Sequence, residues 1–191
     1  MKILKAICWS VLLLFVFCGR SNAQNGDNEL IVKQLKSESF TEAKIPSPVA
    51  PQTFKGVDAN GPWQMTLKRQ DFESAKRGKA FVYVSEFSQK GKVSSYTLAE
   101  NGTSVYRVQH GSVNKMKSRK SGRLDRFNAC LKNLATKCVA CYKALISCTS
   151  GASDSTIWSF YACLGETLVG KSCTPCYINT LELLTCMLEA W

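Results

Sequence analysis

Histidine is almost missing from this chain: His110 is the single one among 191 residues. Metal centres built on several imidazoles are thereby excluded, and any Ser-His-Asp or Cys-His arrangement rests on one residue in a polar stretch, where a histidine is ordinarily a surface residue. There is no nucleophile elbow, paired-acid motif or phosphate-cradling loop either. No catalytic, metal-ligating or cofactor-binding residue is therefore assigned, and the chain reads as a non-enzyme. Cysteine is absent between Cys18 and Cys130, so that region folds without staples or not at all. Acidic residues are scarce, 14 against 25 Lys and Arg. No nucleic-acid reading motif accompanies the basic excess, which argues against nucleic acid as a partner. Beyond the first 23 residues no apolar run approaches the roughly 20 residues that a membrane-crossing helix needs.

The first 23 residues carry a different signal. Lys2 and Lys5 precede the apolar run Ile7 to Cys18, and the small-residue sequence Ser21-Asn22-Ala23 follows. That is the layout of a secretory signal peptide with cleavage between Ala23 and Gln24. Export takes Cys8 and Cys18 away and leaves eight cysteines, Cys130, Cys138, Cys141, Cys148, Cys163, Cys173, Cys176 and Cys186. In an exported chain this density implies four disulfides, whose connectivity spacing alone does not determine.

The expected class is α+β. Residues 24–60 read as weakly ordered, with Pro46, Pro48 and Pro51 favouring extended chain and Glu29 to Phe40 able to form a short helix. Residues 61–114 read as a small antiparallel β meander. Lys79–Phe87, Lys92–Leu98 and Thr103–Gln109 are rich in β-branched and aromatic residues, and Trp63–Leu67 supplies a further strand. Asn101-Gly102 suits a tight turn, as does Gly91, and Asn101-Gly102-Thr103 also fits the N-glycosylation acceptor. Residues 115–123 form a basic linker; over 115–126 there are six basic side chains and one acidic. Such a run reads either as a plain solvated linker or, functionally, as an accessible cleavage site with Arg119 and Lys120 as the expected processing residues.

Residues 124–191 read as a disulfide-stapled three-helix domain. Leu124, Phe127, Leu131, Leu134, Cys138, Cys141, Leu145 and Cys148 recur every three or four residues, the stripe of one helix some 25 residues long by this count. A second helix runs from Ser153 or Asp154 toward Gly170, and Thr174-Pro175 opens a third. Cys138 and Cys141 lie one turn apart, so each is expected to reach a different helix. Cys173-Thr174-Pro175-Cys176 has a redox alternative, and Cys138, Cys141, Cys173 and Cys176 have the two-plus-two spacing of a zinc site; after export, disulfides are favoured over both. From Cys130 to Trp191, Lys132, Lys137, Lys143 and Lys171 balance Asp154, Glu166, Glu182 and Glu189, which makes the stapled part neutral as well as apolar.

Cys138-Val139-Ala140-Cys141-Tyr142-Lys143-Ala144, Cys148-Thr149-Ser150-Gly151 and Ala162-Cys163-Leu164-Gly165 follow a signal segment and a cysteine-free region of about a hundred residues. Together they resemble the precursors of halocin-type cysteine-rich bacteriocins, over the carboxy-terminal third of the chain. The resemblance implies a secreted precursor whose cysteine-rich tail inhibits other microbes, acting on a target-cell membrane or surface receptor, with a self-protection partner. The alternative is a secreted, non-enzymatic binding or structural module used intact, with Trp63, Tyr83 and Tyr96 as contacts. Oligomeric state is left open.

Overall fold

Alternation of apolar and polar residues sets the architecture of the first half. The computed structural model describes residues 22–44, 49–117, 123–150, 157–170, 173, 176 and 179–190. Residues 1–21 of the expected signal segment, and Arg119 and Lys120, lie outside the described residues. Ala23 and Gln24 fall in the first turn of a helix, α1 (Asn22–Ser37). Seven strands follow: β1 (Thr41–Glu42), β2 (Gln52–Asp58), β3 (Gly61–Ser74), β4 (Gly78–Gln89), β5 (Lys92–Glu100), β6 (Ser104–Gln109) and β7 (Ser112–Lys117). They make one curled antiparallel sheet in the order β1-β3-β4-β5-β6-β7. β3 is long enough, at 14 residues, to pair with β2 along its first half and with β1 near its end.

Successive side chains on a strand face opposite sides of the sheet, so two apolar layers emerge. Trp63, Met65, Leu67, Tyr83, Phe87, Leu98 and Val105 lie in one layer. Phe72, Ala80, Val82, Ala99 and Tyr106 lie in the other, under Ile31, Leu35 and Phe40 of α1 and the turn after it. Two-residue turns join the strands where the residues tolerate positive φ. Lys90 and Gly91 (50° and 72°) close β4–β5, and His110 and Gly111 (52° and 72°) close β6–β7, as the right-handed twist of hairpins favours.

The cysteine-rich region is helical, with α2 (Arg123–Lys137), α3 (Val139–Ser150), α4 (Ile157–Val169) and α5 (Thr180–Ala190). The α+β class, the antiparallel sheet and the disulfide-bonded helical region agree with the sequence; three details differ. First, residues 24–60 are not weakly ordered where described: α1 buries Ile31 and Leu35 completely, and β2 is a full partner of β3. Three prolines made that segment read as loose, yet Gln52–Asp58 follows the last of them. Second, the helical region has four described helices rather than three, because the long stripe breaks at Cys138 into α2 and α3. The amide of Cys138 still donates to Leu134 O and its carbonyl accepts from Tyr142 (2.9 and 3.0 Å), so a continuous apolar stripe conceals the break. Third, Lys115 and Lys117 belong to β7 and not to a linker.

The most consequential feature is where the core lies. Phe127, Leu131, Leu145, Ile157, Phe160, Leu164, Leu168, Leu183 and Leu184 of the four helices fall in the same buried cluster as Trp63, Met65 and Leu67 of the sheet. Helix α4 lies against β2 and β3. The helices thus cover the sheet face opposite α1, and one core crosses the connector.

Candidate functional site

The chemistry-bearing residues of the carboxy-terminal region are the eight cysteines from Cys130 to Cys186, and all eight are joined in pairs. Cys130–Cys186 links α2 to α5, and Cys148–Cys163 links α3 to α4. Cys138–Cys176 and Cys141–Cys173 tie the α2–α3 junction and α3 to the segment before α5. Cys138 and Cys141 therefore reach one segment, not two different helices. The reason is matched spacing: the amide of Cys176 donates to Cys173 O at 2.9 Å, so this pair also sits one turn apart. The four sulfurs considered for zinc are committed to these two bonds, and among the described residues no group of three His, Cys, Asp or Glu is placed to hold a metal ion. Four disulfides place the chain in an extracellular or otherwise oxidising environment. No described helix is long and apolar enough to cross a membrane.

The second assembly is the seam between sheet and helices, and β2 builds most of it. Phe54, Gly56 and Asp58 alternate along β2 and stand opposite Met65, Trp63 and Gly61 of β3, which puts them on the helix-facing side. At Gly56 the Trp63 ring occupies the space a side chain would need: a Cβ there would be 2.5 Å from the indole. At Gly165 of α4 the Phe54 ring does the same, and a Cβ would be 2.6 Å from it. Only glycine lets α4 come this close to β2.

Two carboxylates complete the seam. The first amides of an α-helix have no partner within the helix, and here the sheet supplies two of them. Asp58, 5% exposed, accepts from the amide of Thr180, the first residue of α5, at 2.9 Å. Its other oxygen accepts from the amide of Asn60 and from Gln89 Nε2, both at 2.7 Å. Asn179 caps α5 from the residue just before it, accepting from the amide of Glu182 at 3.3 Å. Glu100 of β5 accepts from the amide of Ile157, the first residue of α4, at 3.2 Å and from the Tyr83 hydroxyl at 2.7 Å. Burial alone would raise the Asp58 pKa, but the hydrogen bonds from Thr180, Asn60 and Gln89 outweigh it and hold the carboxyl below its ordinary value. The positive end of α5 acts in the same direction.

A third polar group lies on the opposite face and fixes α1. Glu38 accepts from Arg77 Nη1 (2.6 Å), Lys115 Nζ (2.7 Å), the Tyr106 hydroxyl (3.0 Å) and Gln34 Nε2 (3.0 Å). Burial pushes its pKa up, yet the bonds from Lys115, Gln34 and Tyr106 prevail and lower it. The same bond from Lys115 raises the lysine's pKa, and burial raises that of Tyr106.

Other residues singled out by the sequence sit in simpler roles. His110 is exposed at the tip of the β6–β7 turn. Trp63 and Tyr83 are buried, 4% and 1% exposed, and Tyr96 is half-buried, so the first two serve the core and not an exposed contact patch. Asn101 is engaged by its own loop: its Oδ1 accepts from the amides of Thr103 and Ser104, and its Nδ2 donates to the Tyr106 hydroxyl at 2.9 Å. Asp58, Glu100 and the Phe54–Gly165 contact were not singled out by the sequence. Their one local signal is the turn after Asp58, since an aspartate two residues before an asparagine amide closes a familiar side-chain turn. Compared with protein-family models, curated proteins and solved structures, the chain matches none.

Proposed function

We propose that the chain is the secreted, non-enzymatic precursor of a cysteine-rich toxin of antimicrobial or bacteriocin-like kind. Its active part is the disulfide-bonded helical region, released by a cut near Arg119 and Lys120. The observation that carries this reading is the segregation of the disulfides. All four close within Cys130 to Cys186, and none reaches the sheet, so a cut in the connector leaves every staple of the tail intact. Near-neutral charge means that the tail meets a target-cell membrane or surface receptor through apolar surface and not by cationic attraction. Leu164 and Leu168 of α4, buried in one cluster with sheet residues on the helix that lies against β2 and β3, are surface available for that contact, and the sheet packed there is where self-protection would reside. Mass spectrometry of culture medium tests the processing step: an oxidised fragment of roughly 7 kDa is expected from the residue count, and that purified fragment should inhibit the growth of sensitive cells.

The alternative is an intact secreted binding or structural module. What favours it is the single core that crosses the connector, since a chain folded as one body has reason to stay whole. Recovery of only the uncut chain from the medium, with no inhibition by it, would favour this second reading.

A further inference from the structure

Cutting the connector is not the same as releasing the tail. All eight cysteines beyond residue 123 are paired with one another, so no disulfide joins a fragment ending before residue 123 to one beginning there. What remains between them is non-covalent, and among the described residues three kinds of contact are seen. There is the shared apolar cluster of Trp63, Met65 and Leu67 with Leu164 and Leu168 of α4, the helix that lies against β2 and β3. There is the ring-on-backbone contact of Phe54 with Gly165. Finally, there are the two sheet carboxylates, Asp58 on the first amide of α5 and Glu100 on the first amide of α4. The apolar layer supplies most of the attraction and little direction. The carboxylates supply direction, because each must meet an N–H that points out of one helix end, and their sites lie on different strands.

We infer that the sheet fragment is a specific non-covalent partner of the oxidised tail, that a chain cut between residues 117 and 123 persists as a two-fragment complex, and that Asp58 and Glu100 select the tail by its two helix starts. The inference extends the precursor reading, which requires a cut, by making separation a second step distinct from proteolysis. Removal of a helix-capping acceptor typically weakens a structure enough to change an equilibrium constant by about three- to thirtyfold. Each carboxylate should therefore alter the fragment affinity on that scale, whereas an exposed surface charge should not.

The test uses the full oxidised chain with a recognition sequence for a site-specific protease placed within residues 118–122. After cutting, both fragments are expected in one peak at the elution volume of the uncut chain, at micromolar concentration and neutral pH. Asp58→Ala and Glu100→Ala should each raise the fragment dissociation constant about tenfold. Thr180→Pro probes the same bond from the tail. Proline is tolerated at the first position of a helix and lacks the donor, so this variant should match Asp58→Ala even if the latter folds poorly, and combining the two should cost little more than either alone. Separate elution of the parent fragments would overturn the inference, and so would unchanged affinity in Thr180→Pro together with Glu100→Ala. Neither result depends on whether the natural chain is cut or kills cells, so a failure here is distinguishable from a failure of the precursor reading.

Discussion

Residues 22–117 contain no cysteine and hold their shape through two apolar layers on one sheet, whereas residues 123–190 carry four disulfides and only part of a core. The difference separates two jobs that are easily confused. A disulfide restricts the unfolded chain; it does not remove apolar surface from water. The helices are stapled to one another, yet Leu164 and Leu168 of α4, the helix that lies against β2 and β3, are buried in one cluster with Trp63, Met65 and Leu67 of the sheet. Connectivity in the tail is internal, and burial is shared.

Reduction should break this comparison most severely. Each disulfide contributes on the order of 2–4 kcal/mol, so full reduction should leave residues 123–190 largely unprotected in amide hydrogen exchange while β3 and β4 keep much of their protection. Equal loss in both halves would mean that the sheet depends on the staples. Next in size is the seam itself. Gly165→Ala forces the Phe54 ring to move and should cost about 1–3 kcal/mol as overpacking does, read as a lower urea midpoint. Adding Phe54→Ala should return part of that loss, giving a coupling energy between β2 and α4.

Asp58 sharpens the comparison through pH. Asp58→Ala should cost about 1–2 kcal/mol, the usual loss of a capping acceptor. The folded pKa of Asp58 lies below its ordinary value, so its contribution is complete above the unfolded value of about 3.9 and is lost as pH falls through the lower folded value. The stability gap between the parent and Asp58→Ala should thus be constant near neutrality and shrink below about pH 4. The smallest effect is expected at the cross-strand pair Lys68–Glu86, 3.1 Å apart with both side chains well exposed. Lys68→Ala should change stability by less than about 1 kcal/mol, and it serves as the control against which the seam variants are read.

Local pattern made β3 to β6 visible, because aromatic and β-branched residues alternate there and turn residues separate the runs. β2 and β7 were obscured: Lys55, Lys115 and Lys117 are exposed strand residues that in sequence look like loop and linker charge. The helical periodicity of 124–148 was legible, but the break at Cys138 was not, since both helices continue one apolar stripe. The eight cysteines declared themselves by density, while their pairing required three-dimensional placement. Least legible were the seam carboxylates. Asp58 meets an amide 122 residues away and Glu100 one 57 residues away, and no neighbouring residue in sequence announces a partner at such distance.

Amide hydrogen exchange at Ile157 and Thr180 in the intact oxidised chain tests the shared body most directly. First-turn amides of a helix ordinarily exchange fast for want of a partner, but here each is buried and bonded to a sheet carboxylate. Both should be protected to nearly the degree of the amides of β3 and β4, and both should lose that protection when Glu100 and Asp58 are replaced by alanine. Exchange at the rate of free helix ends in the parent chain would contradict the account, because the stapled helices would then stand apart from the sheet.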